Sequence, residues 1–399
     1  MHILYLQLRD FHVVSGLRHL LESLFEHCVE KGILVNIIGY KQKTSPIDGA
    51  FVSGIDGVET RIFYRSYQNK SSFVYRYLYE CWLIIRVALR PKLWRPSSVC
   101  LAHAFPSSFL LIWLAKNVFR KKVVFWVQDL WPENAVQVGA LARKSLAYRF
   151  FFTLEKMAYR KSDIIVPISE DIEQKLLGYG VPQSKLKVIH NWGYNDCSVS
   201  IPWEDNKFVS LANLSADVFY AIYAGAIGPP QNVELIVDAA SLLIERADIR
   251  FIIVGEGLSL NSVKEKAERL DNIAFYPLQP PDTAYHIYSA ASVNLITLRE
   301  GMVFTALPSK TAILLACGKP VIACIDTDSC YAQLLINYGV GPVVNPTDAN
   351  ELASAIVDMA DMVRCNRSTR ENVLKCFEEQ FSRRISLERF TNILSLGAK

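Results

Sequence analysis

The residues best suited to chemistry lie between Pro308 and Pro320, where a turn with a lysine leads into an apolar helix. Lys310 is at the start of this predicted helix, which ends at Gly318 just before a β-branched strand. Free backbone N–H groups and the helix dipole favour an anion at such a start, and a nearby lysine adds a full positive charge. The pattern is typical of phosphate binding in α/β proteins. The alternative is an ordinary helix-to-strand connection that Lys310 merely decorates.

A second group of candidate residues follows an apolar strand in the first half of the chain. Asp129 and Glu133 lie on either side of Trp131, directly after the predicted strand 123–127. Such carboxylates can bind an acceptor hydroxyl, and one of them can act as a general base, while the indole ring suits a sugar face. The alternative for Asp129 is to cap the following helix. His103, at another strand end, is a candidate for positioning hydroxyl groups, or else a plain loop residue.

The sequence has no pattern for a metal, a dinucleotide cofactor or a disulfide framework. The nine cysteines form no CxxC pair and no zinc-like spacing with histidine, which favours reduced thiols and a cytoplasmic location. Gly255-Glu256-Gly257 lacks the third glycine of a dinucleotide fingerprint. No apolar run reaches roughly 18 residues, and the first residues indicate a strand rather than a signal peptide. We therefore expect neither a cofactor nor a metal.

Charge is divided unevenly along the chain. Residues 1–195 contain 26 Lys and Arg against 15 Asp and Glu, a net charge of +11, whereas residues 196–399 have a net charge of −7. Aromatic residues accompany the basic ones in segments 73–95, 109–122 and 143–161. Basic and aromatic residues on amphipathic helices favour an anionic lipid surface. The alternative is aromatic residues in the core and a soluble basic face. We expect peripheral binding to an anionic membrane and no nucleic-acid partner.

Alternating strands and helices must position these residues. Short β-branched runs, apolar on both faces, alternate with amphipathic segments in both halves. This is the pattern of parallel strands buried between helices, and it predicts an α/β doubly wound sheet in each half. We expect domains at 1–195 and 218–380, a linker at 196–217, and a helix at 381–399 that packs back towards the first domain. Since ligands bind outside the carboxyl ends of such strands, a site in a cleft between the domains is predicted.

Several motifs, taken in order, resemble the GT-B glycosyltransferases of family 4. They are Ile189-His190-Asn191-Trp192, Tyr223-Ala224-Gly225-Ala226-Ile227-Gly228, Val254-Gly255-Glu256-Gly257 and the block from Pro308 to Pro320. Val127-Gln128-Asp129-Leu130-Trp131-Pro132-Glu133 is similar to a segment of bacterial sugar transferases of surface-polysaccharide assembly, such as acetamido-fucose transferases. The resemblance extends over nearly the whole chain. It implies two Rossmann-like domains that face a central cleft.

The resemblance also implies an activity. It indicates a retaining glycosyltransferase that moves a sugar from a UDP-sugar to a polyprenyl-diphosphate-linked saccharide. The reaction would serve the biosynthesis of O-antigen or another lipopolysaccharide component, or of capsule, on the cytoplasmic face of the membrane. Two alternatives stay open: a nucleotide-sugar epimerase of the same fold, and a non-catalytic nucleotide-sugar-binding member of a polysaccharide-assembly complex.

Donor-binding residues follow from the same resemblance. They are Gly16, Gly225, Glu300, Phe304, Thr305, Ala306, Leu307, Ser309 and Lys310. The backbone N–H groups around 304–307, the Ser309 hydroxyl and the Lys310 ammonium would face the diphosphate. Gly16 would let the backbone approach the donor phosphate, although a simple strand-to-helix turn is the alternative. Glu300 would serve the sugar hydroxyls.

The chain departs from the family at four positions. Many members have two glutamates where this chain has Thr305 and Ile313, and an arginine and a lysine where it has Ala226 and Gln231. Recognition of the ribose by glutamate, and neutralisation of the diphosphate by that Arg/Lys pair, therefore cannot be transferred. Asp326-Thr327-Asp328 resembles the metal motif of the other main glycosyltransferase fold, but it follows a Rossmann-like strand, so we interpret it as a polar loop.

Overall fold

The computed structural model describes residues 1–10, 17–42, 56–65, 73–103, 106–280, 283–365 and 368–397. The chain divides into two compact units. Unit 1 contains Met1–Ile168, Ile172–His190 and Ser386–Lys399, and unit 2 contains Ser169–Asp171 and Asn191–Ile385.

Unit 1 is built on a parallel sheet that has six strands within the described residues, in the order β3-β2-β1-β4-β5-β6. The strands are β1 His2–Asp10, β2 Leu34–Gln42, β3 Val58–Arg65, β4 Val99–His103, β5 Lys122–Val127 and β6 Ile164–Pro167. The helices of the first half are α1 Arg18–Glu30, α2 Phe73–Ala88, α3 Pro91–Trp94, α4 Ser108–Asn117, α5 Glu133–Gln137, α6 Leu146–Lys161 and α7 Glu170–Gly178.

Unit 2 repeats this scheme with the strand order β12-β11-β10-β7-β8-β9. The strands are β7 Phe219–Ala224, β8 Ile249–Val254, β9 Ile273–Tyr276, β10 Val293–Thr297, β11 Val321–Cys324 and β12 Val343–Val344. The helices are α8 Lys207–Ala212, α9 Glu234–Leu242, α10 Leu260–Lys266, α11 Ala284–Ala290, α12 Thr311–Ala316, α13 Cys330–Tyr338, α14 Ala349–Arg364 and α15 Arg370–Cys376.

The central strands are buried on both faces, which confirms the doubly wound α/β sheets expected from the sequence. Every residue of β4, β7, β10 and β11 is buried. In unit 2, alternate residues of β7 and β8 pack with α9 and α14 in one core. Helices that cover both faces of a parallel sheet require this pattern of continuous apolar strands.

The segment 196–217, expected to be an irregular linker, contains the helix α8 and belongs to unit 2. The Asn206 side chain accepts hydrogen bonds from the N–H groups of Phe208 and Val209, and it donates one to the His286 carbonyl at 2.8 Å. This cap starts a helix only six residues long, too short to show helical periodicity in the sequence.

The last helix, α16 Arg383–Gly397, has most of its residues in unit 1. The Phe390 ring lies edge-on to the Trp126 ring of β5, with centroids 4.9 Å apart. The Glu388 Oε1 atom lies 3.9 Å from the Lys31 Nζ atom. The helices in the described part of the chain are all too short or too polar to cross a membrane.

Candidate functional site

The strand order of unit 2 places a switch point between β7 and β10. The chain runs from β7 to β8 and β9 on one side, and from β10 to β11 and β12 on the other. A crevice forms where the chain leaves two neighbouring strands in opposite directions, and ligands of doubly wound sheets bind there. The loop after β7 begins with Gly225, and the loop after β10 leads to Lys310.

Lys310 reaches from the start of α12 to the end of β7. Its Nζ lies 3.4 Å from the centroid of the Tyr223 ring and 3.3 Å from where a Cβ on Gly225 would be. The ammonium is buried, and it has no hydrogen-bond partner among the described residues. Burial lowers the pKa of Lys310 well below its usual range. A buried cation without a counter-charge is costly, and a bound anion would remove that cost.

The turn that faces Lys310 depends on a glycine. Gly225 has φ +149°, in the region that favours glycine, and a side chain there would meet the lysine. The Tyr223 hydroxyl donates to the Ala226 carbonyl at 2.6 Å, and the Tyr288 hydroxyl donates to the Ala224 carbonyl at 3.1 Å. These bonds hold both sides of the turn.

The backbone of the loop after β8 packs closely against the backbone of the loop after β7. A Cβ on Gly255 would overlap the Gly225 carbonyl oxygen, and a Cβ on Gly257 would overlap that of Ile227. The Ile227 N–H donates to the Glu256 carbonyl at 2.8 Å. The two glycines therefore serve close packing between the backbones of these two loops.

The loops after β7 and β10 are also joined. The Arg299 N–H donates to the Pro230 carbonyl at 2.8 Å, and the Thr297 hydroxyl donates to the Gln231 carbonyl at 2.5 Å. Gln231, which stands where many relatives have a lysine, thus contributes its backbone to the support of the site.

The expected row of phosphate-binding N–H groups at 304–307 needs correction. The N–H groups of Thr305 and Ala306 both donate to the Met302 carbonyl at 3.1 Å, and the Thr305 hydroxyl donates to the same oxygen. These two N–H groups are therefore engaged within a tight turn. Phe304 is half-buried and Leu307 is buried. This turn leads the chain to Lys310 and α12, and Lys310 still has an ammonium group that no hydrogen bond of the described residues occupies.

Glu300 and Ser309 are exposed, and both lie on the loop between β10 and α12. The neighbouring Gly301 donates its N–H to both carboxylate oxygens of Asp326, at 2.9 and 3.0 Å. Asp326 therefore anchors this loop, which supports the interpretation of Asp326-Thr327-Asp328 as a polar loop. The described residues contain no group of three or more His, Cys, Asp or Glu side chains arranged to hold a metal ion.

The positions of the two missing glutamates differ in their surroundings. Thr305 is buried and bonds within its own turn, as described above. Ile313 is half-buried, and its backbone nitrogen lies 3.8 Å from where a Cβ on Gly193 would be. An apolar side chain at this position offers no acceptor for a ribose hydroxyl.

In unit 1, His103 is at the corresponding switch point, between β1 and β4. The residue is buried at the last position of β4. Its Nδ1 lies 3.0 Å from the Tyr5 hydroxyl, and the two rings stack with centroids 5.7 Å apart. Tyr5 was not singled out from the sequence, because the partnership spans two strands 98 residues apart.

The two carboxylates after β5 differ in their environments. Asp129 is exposed, and α5 begins four residues later, at Glu133 after Pro132. Glu133 is buried, and it accepts hydrogen bonds from the hydroxyls of Tyr148 at 2.6 Å and Tyr179 at 3.1 Å.

The second oxygen of Glu133 pairs with Arg143. Burial, with Glu133 as the next cause, raises the pKa of Tyr148 to about 12, so this hydroxyl stays a donor. Because protein donors hold both oxygens of Glu133, the carboxylate fixes α5 to its surroundings and is poorly placed to take a proton from a substrate. Gly16, the remaining candidate, lies outside the described residues.

The fold and the site define the class of protein. The protein has two doubly wound parallel sheets, and a buried lysine that could bind an anion lies at the switch point of the second. This is the fold of a GT-B glycosyltransferase. Residues 14–192 match the family Glycosyltransferase Family 4, and residues 219–362 match the family Glycosyl transferases group 1.

Individual proteins agree with this assignment. The chain is 27% identical over 304 residues to "Probable glycosyltransferase WbjE" of Pseudomonas aeruginosa, covering 74% of each chain. It is 23% identical over 240 residues to WcaI of Escherichia coli K12, a glycosyl transferase named for colanic acid biosynthesis, covering 57% of this chain and 56% of WcaI. The crystal structure of Anabaena Alr3699/HepE with UDP and glucose has a TM-score of 0.74 at 16% identity, covering 99% of this chain and all of HepE.

Proposed function

We propose that this glycosyltransferase moves a sugar from a UDP-sugar to a polyprenyl-diphosphate-linked saccharide, with retention of anomeric configuration. The observation that carries the proposal is the buried Lys310 ammonium at the switch point of unit 2, which has no hydrogen-bond partner among the described residues. A diphosphate is the anion that a glycosyltransferase donor brings to such a crevice. HepE, similar in fold, is a protein that binds UDP and glucose.

The proposed chemistry is mainly electrostatic. When the glycosidic bond to the donor breaks, negative charge grows on the leaving diphosphate. A preorganised cation in a site shielded from water stabilises that charge more strongly than it would in water. Lys310 takes this role, and we assign no step to a metal or a cofactor.

The acceptor is assigned to unit 1. His103 ends β4, the exposed Asp129 follows the neighbouring strand β5, and both can bind acceptor hydroxyls. We retain Asp129 as the candidate base and no longer Glu133, because Tyr148, Tyr179 and Arg143 occupy the oxygens of Glu133. The name of WcaI, a glycosyl transferase of colanic acid biosynthesis, supports a role in bacterial surface-polysaccharide biosynthesis. A lipid-linked acceptor would place the reaction at the cytoplasmic face of the membrane.

The test is incubation of the full chain with a panel of UDP-sugars, with and without a polyprenyl-diphosphate-linked saccharide. Release of UDP only in the presence of the acceptor, with a longer lipid-linked product of retained configuration, is the expected result. Isomerisation of a UDP-sugar without acceptor would identify an epimerase instead. Tight UDP binding without turnover of any substrate would identify a binding protein, an outcome that the missing glutamates at Thr305 and Ile313 keep open.

A further inference from the structure

Helix α2 has apolar side chains on opposite faces. Leu83, Ile84 and Val87 are buried on the inner face. The outer face exposes a row of large apolar side chains, which we call the α2 stripe: Tyr75, Leu78, Trp82, Ile85 and Leu89, with exposed fractions of 50, 60, 48, 45 and 77%. They recur at intervals of three and four residues, so they lie along one side of the helix, and Leu89 continues the row one residue beyond its end. A helix that is apolar all round is normally covered on every side.

Positive charge accompanies the stripe, above all towards the carboxyl end of α2. Segment 73–95 contains five Lys or Arg residues and a single carboxylate, Glu80, which accepts a hydrogen bond from the Ser107 hydroxyl at 2.7 Å. Arg86 lies over the Trp82 ring, 5.3 Å from its centroid. The exposed Arg90, Lys92 and Arg95 follow at the carboxyl end of the helix. The partner of this face must therefore be both apolar and anionic.

Aromatic side chains form a ladder within the same surface. The rings of Tyr75 and Tyr79 stack with centroids 6.3 Å apart, and Tyr79 lies 5.5 Å from Trp82. Tyrosine and tryptophan combine an apolar ring with a polar tip, which suits the boundary between lipid chains and headgroups. Arginines beside them can reach lipid phosphates while their methylene stems stay in contact with apolar surface.

We propose that the α2 stripe docks onto an anionic lipid bilayer, with its apolar side chains at the acyl boundary and the nearby cations on the lipid phosphates. This inference rests on the proposed function, whose acceptor is anchored in such a membrane. A second copy of the chain fits less well. In a two-fold pairing, the same cation-rich surface would face itself, and like charges in contact oppose association.

The experiment compares co-sedimentation of the full chain with vesicles of phosphatidylcholine alone and of phosphatidylcholine with phosphatidylglycerol at 3:1. The test variant is L78S/L89S, and L242S/L258S is its matched control, because Leu242 and Leu258 are exposed leucines of unit 2. We expect L78S/L89S to lower the partition coefficient at least tenfold and the control to change it less than twofold. Calorimetric UDP binding and the melting temperature should remain unchanged in both.

A second variant, K92Q/R95Q, tests the electrostatic part. It should lose about tenfold in binding to the anionic vesicles, since each basic residue near such a surface adds a favourable contribution, and it should leave the weaker binding to neutral vesicles unchanged. Equal binding of wild type to the two vesicles, or full binding by L78S/L89S, would overturn the proposal. So would a dimer that only L78S/L89S dissociates, which would identify a second copy as the occupant.

The two proposals fail in different ways. A chain that binds UDP but not vesicles contradicts the membrane surface alone. A chain that binds vesicles through the α2 stripe but neither UDP nor a UDP-sugar contradicts the proposed reaction and leaves the surface in place.

Discussion

Lys310 combines a cost to folding with a use in binding. A buried ammonium without a partner destabilises the folded chain, whereas the same group gives an anionic ligand its strongest contact. Lys310→Met keeps the length of the side chain and removes the charge. We expect this variant to weaken UDP binding at least tenfold and to raise the free energy of unfolding by about 1 kcal/mol, within the usual range for a stabilising substitution.

The pH dependence of this stabilisation has a definite sign. Because the pKa of Lys310 is lowered in the folded state, the unfolded chain binds more protons at any pH between that lowered pKa and the ordinary lysine value of 10.5. The gain from Lys310→Met should therefore shrink as the pH approaches 10.5. Lys264→Met is the control, since Lys264 is exposed and lies 5.9 Å from the Phe275 ring. Chemical denaturation at several pH values and calorimetry with UDP measure both effects.

Glu133 is predicted to matter more for stability than for catalysis. Glu133→Gln weakens the pairing with Arg143 and the bond from Tyr148, so we expect a loss of about 1–3 kcal/mol in unfolding free energy. Transfer activity at a temperature where the variant is folded should fall only a few-fold. Asp129→Asn should do the reverse, lowering the transfer rate without changing stability. A loss of activity above about 100-fold in Glu133→Gln, with stability intact, would restore Glu133 as the base.

At the scale of the elements, the loops after β7 and β8 act as one layer. Gly255→Ala would force a methyl group onto the Gly225 carbonyl, so we expect a loss of at least about 3 kcal/mol in stability and weaker UDP binding. Gly180→Ala is the control: Gly180 has φ +82°, and nothing lies within 4 Å of the added carbon. It should cost about 1 kcal/mol from backbone conformation alone. Similar losses in both variants would show that conformation, not contact between the loops, is what matters.

The elements were predictable from the sequence to the extent that their signals are local. The buried strands β5 and β10 are short runs rich in β-branched residues, and β4 and β7 are short apolar runs. Such runs indicated parallel sheets. Helix α8 was missed because its start depends on the contact of Asn206 with His286, far along the chain.

The site was predictable only in part for the same reason. Lys310 follows a local turn motif, but the Tyr223 ring beneath it and the tyrosines around Glu133 are brought together by the fold. No spacing in the sequence marks these contacts. The engagement of the Thr305 N–H is likewise a property of the folded turn and not of the residue type.

At the scale of the whole molecule, Lys310 and the loops that surround it lie within one continuous segment, 191–385, with its own sheet and core. We expect this segment, expressed alone, to unfold cooperatively and to bind UDP. Its stability should be reduced, because Asp171 is missing and normally accepts from the N–H groups of Cys330 and Tyr331 at 2.7 and 2.9 Å. The same segment with Lys310→Met should bind UDP at least tenfold more weakly. A folded segment without UDP affinity would mean that unit 1 supplies essential donor contacts.

The solitary Lys310 ammonium also makes the hydrogen ion a participant in donor binding. A diphosphate placed beside Lys310 would raise its lowered pKa. At a pH above the pKa of Lys310 in the ligand-free protein, each binding event should therefore take up a proton from the buffer. Calorimetry of UDP binding in HEPES and in Tris, whose ionisation enthalpies differ, should give different apparent enthalpies at a pH above the lowered pKa of Lys310. The difference should vanish in Lys310→Met. Donor affinity would then decline as the medium becomes more alkaline, because binding of a proton and binding of the nucleotide sugar favour each other.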